Sequence, residues 1–346
     1  MVYGVRAFLL LFWVFLISLV SSVRVYDCEP GTESTLCIVN YLVYTPGRDP
    51  LPLVNRSDTV KRVQLNYERF YYQRKALLNV YDVVLHETVL RSPPNVAVIN
   101  CQLHTLVMPR DLEVGDFLNN MIEVVDTDAA QSYNLRYLDL SHNRLDDLRN
   151  LSVLVNLQTL RLEGNGIVEI KPETFARMLN LSILTLGYNH IVKIDLKVLP
   201  KSLVGLSLIR NYLKEIDFAS VSFVFMRKLN LESNRLTGLD VASMMRACPA
   251  LQLLPIEFNP ISKDEAQRII TELDQHNVTY YIDVDNVSDS DSSCDSDEYQ
   301  IDRMCFSTSV LGPKTFLKAF VLILVGIVLL GVFGLSARWI WHEMRY

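Results

Sequence analysis

His86 and Glu87 are the first residues whose types and spacing suggest chemistry, because a zinc hydrolase holds its metal on two histidines four residues apart, with a glutamate beside the first. Here the place of the second histidine is taken by Leu90, so the pair cannot build that centre. Asp289, Asp291, Asp295, Asp297 and Glu298 crowd together as in a calcium loop, but the glycine that such a loop needs at its sharp turn is missing. The sequence contains no phosphate-binding P-loop, dinucleotide fingerprint or G-x-S-x-G nucleophile turn. His142 and His190 stand without clustered partners. The sequence therefore predicts no enzyme, no metal and no cofactor. The side chains that do recur at a fixed spacing are amides: Asn143, Asn165, Asn189, Asn211, Asn234 and Asn259. A short amide donates and accepts at once, so it suits the bridging of backbone groups that a buried turn would leave unpaired.

Each of these asparagines closes the same pattern, L-x-x-L-x-L-x-x-N-x-L, in blocks that begin at Leu135, Leu157, Leu181, Leu203, Met226 and Leu251, 22 to 25 residues apart. That is the pattern of leucine-rich repeats. One such unit cannot bury its own apolar face, so its leucines become core only when a neighbour stacks on them. The fold class that follows is α/β: a leucine-rich-repeat solenoid with a curved parallel sheet on its concave face, plus one C-terminal transmembrane helix.

Taken in order, residues 1–22 combine an early Arg6, an apolar run and small residues at Ser21 and Ser22, which predicts a secretory signal peptide. Residues 23–59 form an N-terminal cap closed by a disulfide between Cys28 and Cys37. The repeats occupy 60–261. They are degenerate to 134, where Cys101 takes the asparagine slot, and regular over 135–261. Ser262 and Glu265 set a helix start, with Ala266, Ile269, Ile270 and Leu273 at helical spacing, so 262–284 reads as a capping helix and a short strand. Residues 285–314 read as an acidic disordered stalk. Residues 315–337 hold a 19-residue uncharged stretch bounded by Lys318 and Arg338, a transmembrane helix that leaves 338–346 as a cytoplasmic tail. The predicted location is the plasma membrane, as a single-pass type I protein with extracellular repeats.

The net charge of -6 is unevenly placed, since 283–302 holds eight acids and no Lys or Arg. The rest of the chain is close to neutral, which excludes nucleic acid as a partner. Of the six cysteines, Cys101 and Cys248 lie at least five repeat steps apart, on the order of 24 Å at about 4.8 Å per strand, so they are expected to be separate buried thiols. Cys294 and Cys305 either close a loop on each other or link two chains as a homodimer. N-glycosylation sequons stand at Asn55, Asn150, Asn180, Asn277 and Asn286.

The strand residues between the leucines should form the exposed concave face. One column reads Asp139, Arg161, Thr185, Ser207 and Asn230, a second reads Tyr137, Thr159, Ile183, Gly205 and Lys228, and His142, Glu163, Tyr188, Arg210 and Glu232 flank them. A broad mixed-polar surface with a few aromatics suits a protein partner better than a small apolar ligand. None of the sequons falls in the strand stretches. The order of leader, two-cysteine cap, degenerate early repeats and regular later ones resembles the insect leucine-rich-repeat immune proteins, specifically a transmembrane type. That resemblance implies a cell-surface receptor or co-receptor of innate immunity that binds an extracellular protein ligand. With nine residues left for the cytoplasm, it would need a signalling-competent co-receptor. The alternative reading is a structural or adhesion protein of the cell surface in developmental cell contact.

Overall fold

Where an L-x-x-L-x-L block ends, the chain makes a strand of three residues whose middle leucine faces inward. The computed structural model, which describes residues 23–67, 78–281, 294, 298–301 and 304–307, stacks these strands into one sheet. The strands Arg62–Asn66, Asn95–Ile99, Val114–Asp116, Tyr137–Asp139, Thr159–Arg161, Ile183–Thr185, Gly205–Ser207 and Lys228–Asn230 pair in parallel in chain order, and single bridges carry the pairing on to Leu253 and Thr279. The inward leucines, Leu138, Leu160, Leu184, Leu206 and Leu229, are buried in one core that runs the length of the stack. Each contributes about 1.5–3 kcal/mol of burial. The return side changes character along the chain. It begins as a second parallel sheet of Val80–Tyr81, Thr105–Val107 and Val124–Asp126, then becomes short turns at Arg149–Val153 and Leu196–Val198, and finally the helix Val241–Ala247.

All six predicted asparagines are buried and bridge neighbouring repeats. Asn189 shows the scheme. Its Nδ2 donates to the carbonyls of Leu162 at 2.9 Å, Leu186 at 3.0 Å and Gly187 at 3.0 Å, and its Oδ1 accepts from the Ile167 amide at 3.1 Å. A seventh rung precedes them at Asn120, whose Nδ2 donates to Val98 and Phe117 and whose Oδ1 accepts from Cys101 and Leu103. The pattern hides this repeat because Gly115 stands where the strand leucine should be. A Cβ there would lie 2.8 Å from the Phe117 ring, so the neighbouring aromatic already fills the missing leucine's space. Cys101 occupies the ladder slot as expected, its thiol donating to the carbonyls of Ile99 and Leu65. Cys101 and Cys248 are both free and buried.

At the N-terminal end the parallel sheet starts earlier than the repeat pattern. Leu36–Asn40, within segment 23–59, is already a parallel partner of Arg62–Asn66. Glu29–Pro30 lies antiparallel on its other side, tied down by the Cys28–Cys37 disulfide. At the other end Ser262 caps the helix Lys263–Gln275 through the Glu265 amide, and Ala266, Ile269, Ile270 and Leu273 face the core as predicted. The strand expected at 278–284 is reduced to the bridge at Thr279 within the described residues.

The expectation of a disordered stalk over 285–314 is corrected for its middle part. Glu298–Ile301 and Met304–Ser307 form an antiparallel hairpin, with Ile301, Met304 and Phe306 buried. Cys294 bonds to Cys305 within the chain, so this pair is not the interchain link of a homodimer. The hairpin docks on the last repeat: the Phe258 amide donates to Cys305 O at 2.8 Å and Tyr299 Oη donates to Ile261 O. Averaged composition hid an apolar alternation, Tyr299, Ile301, Met304 and Phe306, that supplies enough burial to order the segment. The leader at 1–22, the rest of the acidic stretch at 285–293, the span 315–337 and the tail 338–346 lie outside the described residues. Among the described residues no helix is long and apolar enough to cross a membrane.

Replacing Asn189 by Leu should lower stability far more than a surface change, because each buried backbone group that loses its partner costs about 1–3 kcal/mol. Thermal melting checks this, and an unchanged midpoint would contradict the ladder.

Candidate protein-binding face

The strand register builds the two predicted columns. Tyr137, Thr159, Ile183, Gly205 and Lys228 are aligned partners, and so are Asp139, Arg161, Thr185, Ser207 and Asn230. Both columns continue toward the N-terminal end, through Val114, Asn95 and Arg62 and through Asp116, Ala97 and Gln64. Because strand side chains alternate, these residues share the face opposite the leucine core.

Tyr137, Asp139 and Arg161 form a connected group on this face. Asp139 accepts from the Ser141 amide at 2.9 Å and from Tyr137 Oη at 3.4 Å. Arg161 Nη1 lies 3.8 Å from Asp139 Oδ2, and its guanidinium sits over the Tyr137 ring at 5.7 Å. Asp139 is only 6% exposed, which corrects its reading as an open contact residue. Its part is to hold the arginine and the turn. Asp116 and Asn230 cap the same turn in their own repeats, accepting from Leu118 and Glu232. Burial raises the Asp116 carboxyl above its ordinary range.

The flanking set divides in two. Glu163 and Glu232 follow the strands directly, in line with Ser141, Gly187, Ile209 and Glu257. His142, Tyr188 and Arg210 come one residue later, in line with Asn119, Gly164, Ser233 and Phe258, and every member of this second line has a positive φ between 51° and 64°. Their amides donate to the next repeat, His142 to Glu163, Tyr188 to Ile209 and Arg210 to Glu232. A left-handed residue swings the chain round, so these three belong to a rim beside the face and not to the face itself. Most L-residues pay roughly 1–2 kcal/mol for this conformation. Gly164 avoids that cost and also makes room, since a Cβ there would stand 2.5 Å from the His142 ring. Arg210 lies over the Tyr188 ring at 5.2 Å. Beside them is a second pair that the sequence reading missed, Arg235 over Tyr212 at 4.4 Å. These two sit one residue past the ladder asparagines, where side chains alternate out of the core again.

The C-terminal end of the face is acidic. Burial pushes the Glu257 carboxyl up to about 7, with Glu232 and the hairpin's Glu298 adding repulsion. Burial also raises Glu232, against the pull of Arg210. Cys294, Glu298 and Cys305 come close enough to hold an ion, but the two cysteines are bonded to each other, so neither offers a thiolate. His86 has a structural setting: fully buried, it meets Tyr81 Oη through Nδ1 at 2.7 Å and Asp111 Oδ1 through Nε2 at 3.1 Å. Burial lowers its pKa more than Asp111 raises it.

Four sequons lie among the described residues, away from the two columns. Asn55, Asn150, Asn180 and Asn277 are exposed. Asn150 spends its Nδ2 on the Val125 carbonyl at 2.8 Å, capping the edge of the second sheet, so a glycan there would compete with that bond. Asn286 is outside the described residues.

Comparison with known proteins follows the same geometry. The family pattern described as Leucine rich repeat matches residues 118–167 and 155–213. Leucine-rich repeat-containing G-protein coupled receptor 5 of Rattus norvegicus is 40% identical over 112 residues, which is 32% of this chain and 12% of that receptor. The chain thus spans only about an eighth of the length of this curated relative. Among solved structures, the LRIM1/APL1C complex is similar with a TM-score of 0.51 at 16% identity, covering 93% of this chain and 80% of that one. The leucine-rich repeat domain of APL1B gives 0.50 at 22% identity, covering 78% and 85%. At these identities the structural likeness speaks for the fold alone.

The Glu257 environment has a pH signature. A raised carboxyl favours the folded state fully below its unfolded value of 4.5, and that contribution is lost as pH rises through about 7. The melting midpoint of Glu257→Gln should therefore fall less than the parent's between pH 5.5 and pH 8. His86 works in the opposite sense, costing stability as pH falls below 6.5. Paired melts at the two pH values decide it, and equal falls would show that Glu257 is not desolvated.

Proposed function

We propose that this leucine-rich-repeat protein is a cell-surface recognition protein that binds an extracellular protein partner through the open face of its sheet, in the setting of innate immunity. The observation that carries the reading is the Tyr137, Asp139 and Arg161 group. An arginine that lies over a tyrosine and pairs with the same carboxylate the tyrosine donates to is partly held in place before binding, which removes part of the ordering cost that association must overcome. Arg and Tyr are also the types that dominate interface energetics. Thr159, Thr185, Ser207, Asn230 and Lys228 surround them with donors and acceptors of the kind found at interface rims. The relatives support this reading by what they are called, one a receptor and another a complex of two such chains.

The finer parts of the proposal rest on the sequence. A leader at 1–22 and a span at 315–337 make the chain type I, with the repeats outside and 338–346 inside. Glycans at Asn55, Asn180 and Asn277 would leave the two columns open.

Two measurements test the proposal. Protease added to intact cells that express the full chain should remove the repeats, and protected repeats would refute the topology. Partners captured by the displayed chain should bind about 30-fold more weakly to Tyr137→Ala combined with Arg161→Ala, the loss expected for a hot spot of about 2 kcal/mol. Undiminished capture by the double variant would place the partner elsewhere.

A further inference from the structure

Beyond the face lies a strip that the proposed function does not use. Around each ladder asparagine the chain alternates strictly: the asparagine and the residue two places later are buried, while the residues one before, one after and three after are turned outward. In the five repeats from Gly164 to Ser262 these outward positions carry no Asp or Glu. They carry Arg210, Lys214 and Arg235, and among them stand Tyr188, Tyr212 and Phe258 at 47%, 37% and 38% exposure. The result is a cationic, aromatic strip along one rim. Two of its arginines lie over its own tyrosines, at 5.2 Å and 4.4 Å from the ring centres, so the positive charge and the rings are presented together. Toward the sheet face it is bordered by Glu163, Glu232 and Glu257, while toward the return side the column is mixed, with Glu169 and Glu215 among Lys193 and Lys263. The described sequons fall outside all three columns of the strip.

We propose that this rim is a second docking site, for an extended acidic segment of a protein partner that alternates carboxylates with apolar side chains. Charge complementarity selects the occupant. The strip itself holds guanidinium and ammonium groups and no acid, with Glu232 drawing on Arg210 from the sheet side, while the carboxylates along the sheet-face border repel an acidic segment that strays toward them. Length fits as well. Tyr188 to Phe258 spans three repeat steps, on the order of 14 Å, which an extended peptide covers with about five residues. The apolar half of the occupant meets the exposed rings, and its acids meet the stacked arginines.

The test is a selection of random peptides on the immobilised full chain, followed by titration of the enriched peptides. Enriched sequences should alternate Asp or Glu with apolar residues. Their affinity should fall at least about tenfold in Arg235→Glu and in Tyr212→Ala, as for interface hot spots. It should fall with added salt and stay unchanged in Tyr137→Ala combined with Arg161→Ala, which alters the sheet face alone. A melting curve shows that each variant is folded, and Lys214→Glu, on a more exposed side chain, serves if one is not. Enriched peptides without acids overturn the proposal. So does an affinity that responds to the sheet-face variant and ignores the rim. A sulfated heparin oligosaccharide that displaces the peptides and binds more tightly overturns the choice of a protein segment.

Discussion

Each time the chain leaves a strand and turns toward the return side, it carries unpaired N–H and C=O groups into an interior that water does not reach. The rest of the structure depends on how those groups are satisfied. One amide per repeat does it, giving hydrogens to carbonyls of its own turn and of the preceding repeat while taking one from that repeat's amide, as Asn143, Asn165, Asn189, Asn211, Asn234 and Asn259 do in succession. The leucines supply most of the burial energy, but leucines alone would accept several registers. The amide accepts only one, so it fixes the spacing of the strands and with it the alignment of every exposed side chain on the face.

That dependence explains what was legible in the sequence. The two face columns could be read off because the distance from Asn to strand is constant, and the register reproduces them residue for residue. The rung at Asn120 was not legible, since a glycine in the leucine slot breaks the pattern while Phe117 repairs the packing from two residues away. Nor was the split of His142, Tyr188 and Arg210 from Glu163 and Glu232. A one-residue change of direction comes from a left-handed φ, and most of the residues that adopt it here, Tyr188, Arg210 and Phe258 among them, are not the types that signal it. The hairpin at 298–307 escaped for a different reason. Its four apolar residues are diluted by acidic neighbours, and its partner is the last repeat, some forty residues earlier in the chain.

The left-handed line also separates two surfaces that a sequence pattern runs together. On the sheet side stand short polar residues and the Tyr137, Asp139 and Arg161 group; on the rim stand stacked Arg–Tyr pairs with exposed rings. A partner lying along the strands' face and one lying along the rim would touch different residues of the same repeats. Two surfaces separated by one backbone angle would let two partners lie side by side on the same repeats if both proposed sites are used.

The closing hairpin bears on a hazard that stacked folds carry. Each rim amide donates to a carbonyl of the following repeat, and this series would leave a donor open at the end of the stack. Instead the Phe258 amide is taken by Cys305, on a hairpin whose strands run antiparallel to each other. At the opposite end Glu29–Pro30 also runs against the sheet, and Pro30 has no N–H to offer. Head-to-tail growth requires that one molecule's last repeat accept another's first as if it were the next in line. At one end a reversed strand borders the sheet, and at the other the hairpin takes the rim's last amide, so a second copy could not continue the rim's hydrogen bonds as if it were the next repeat.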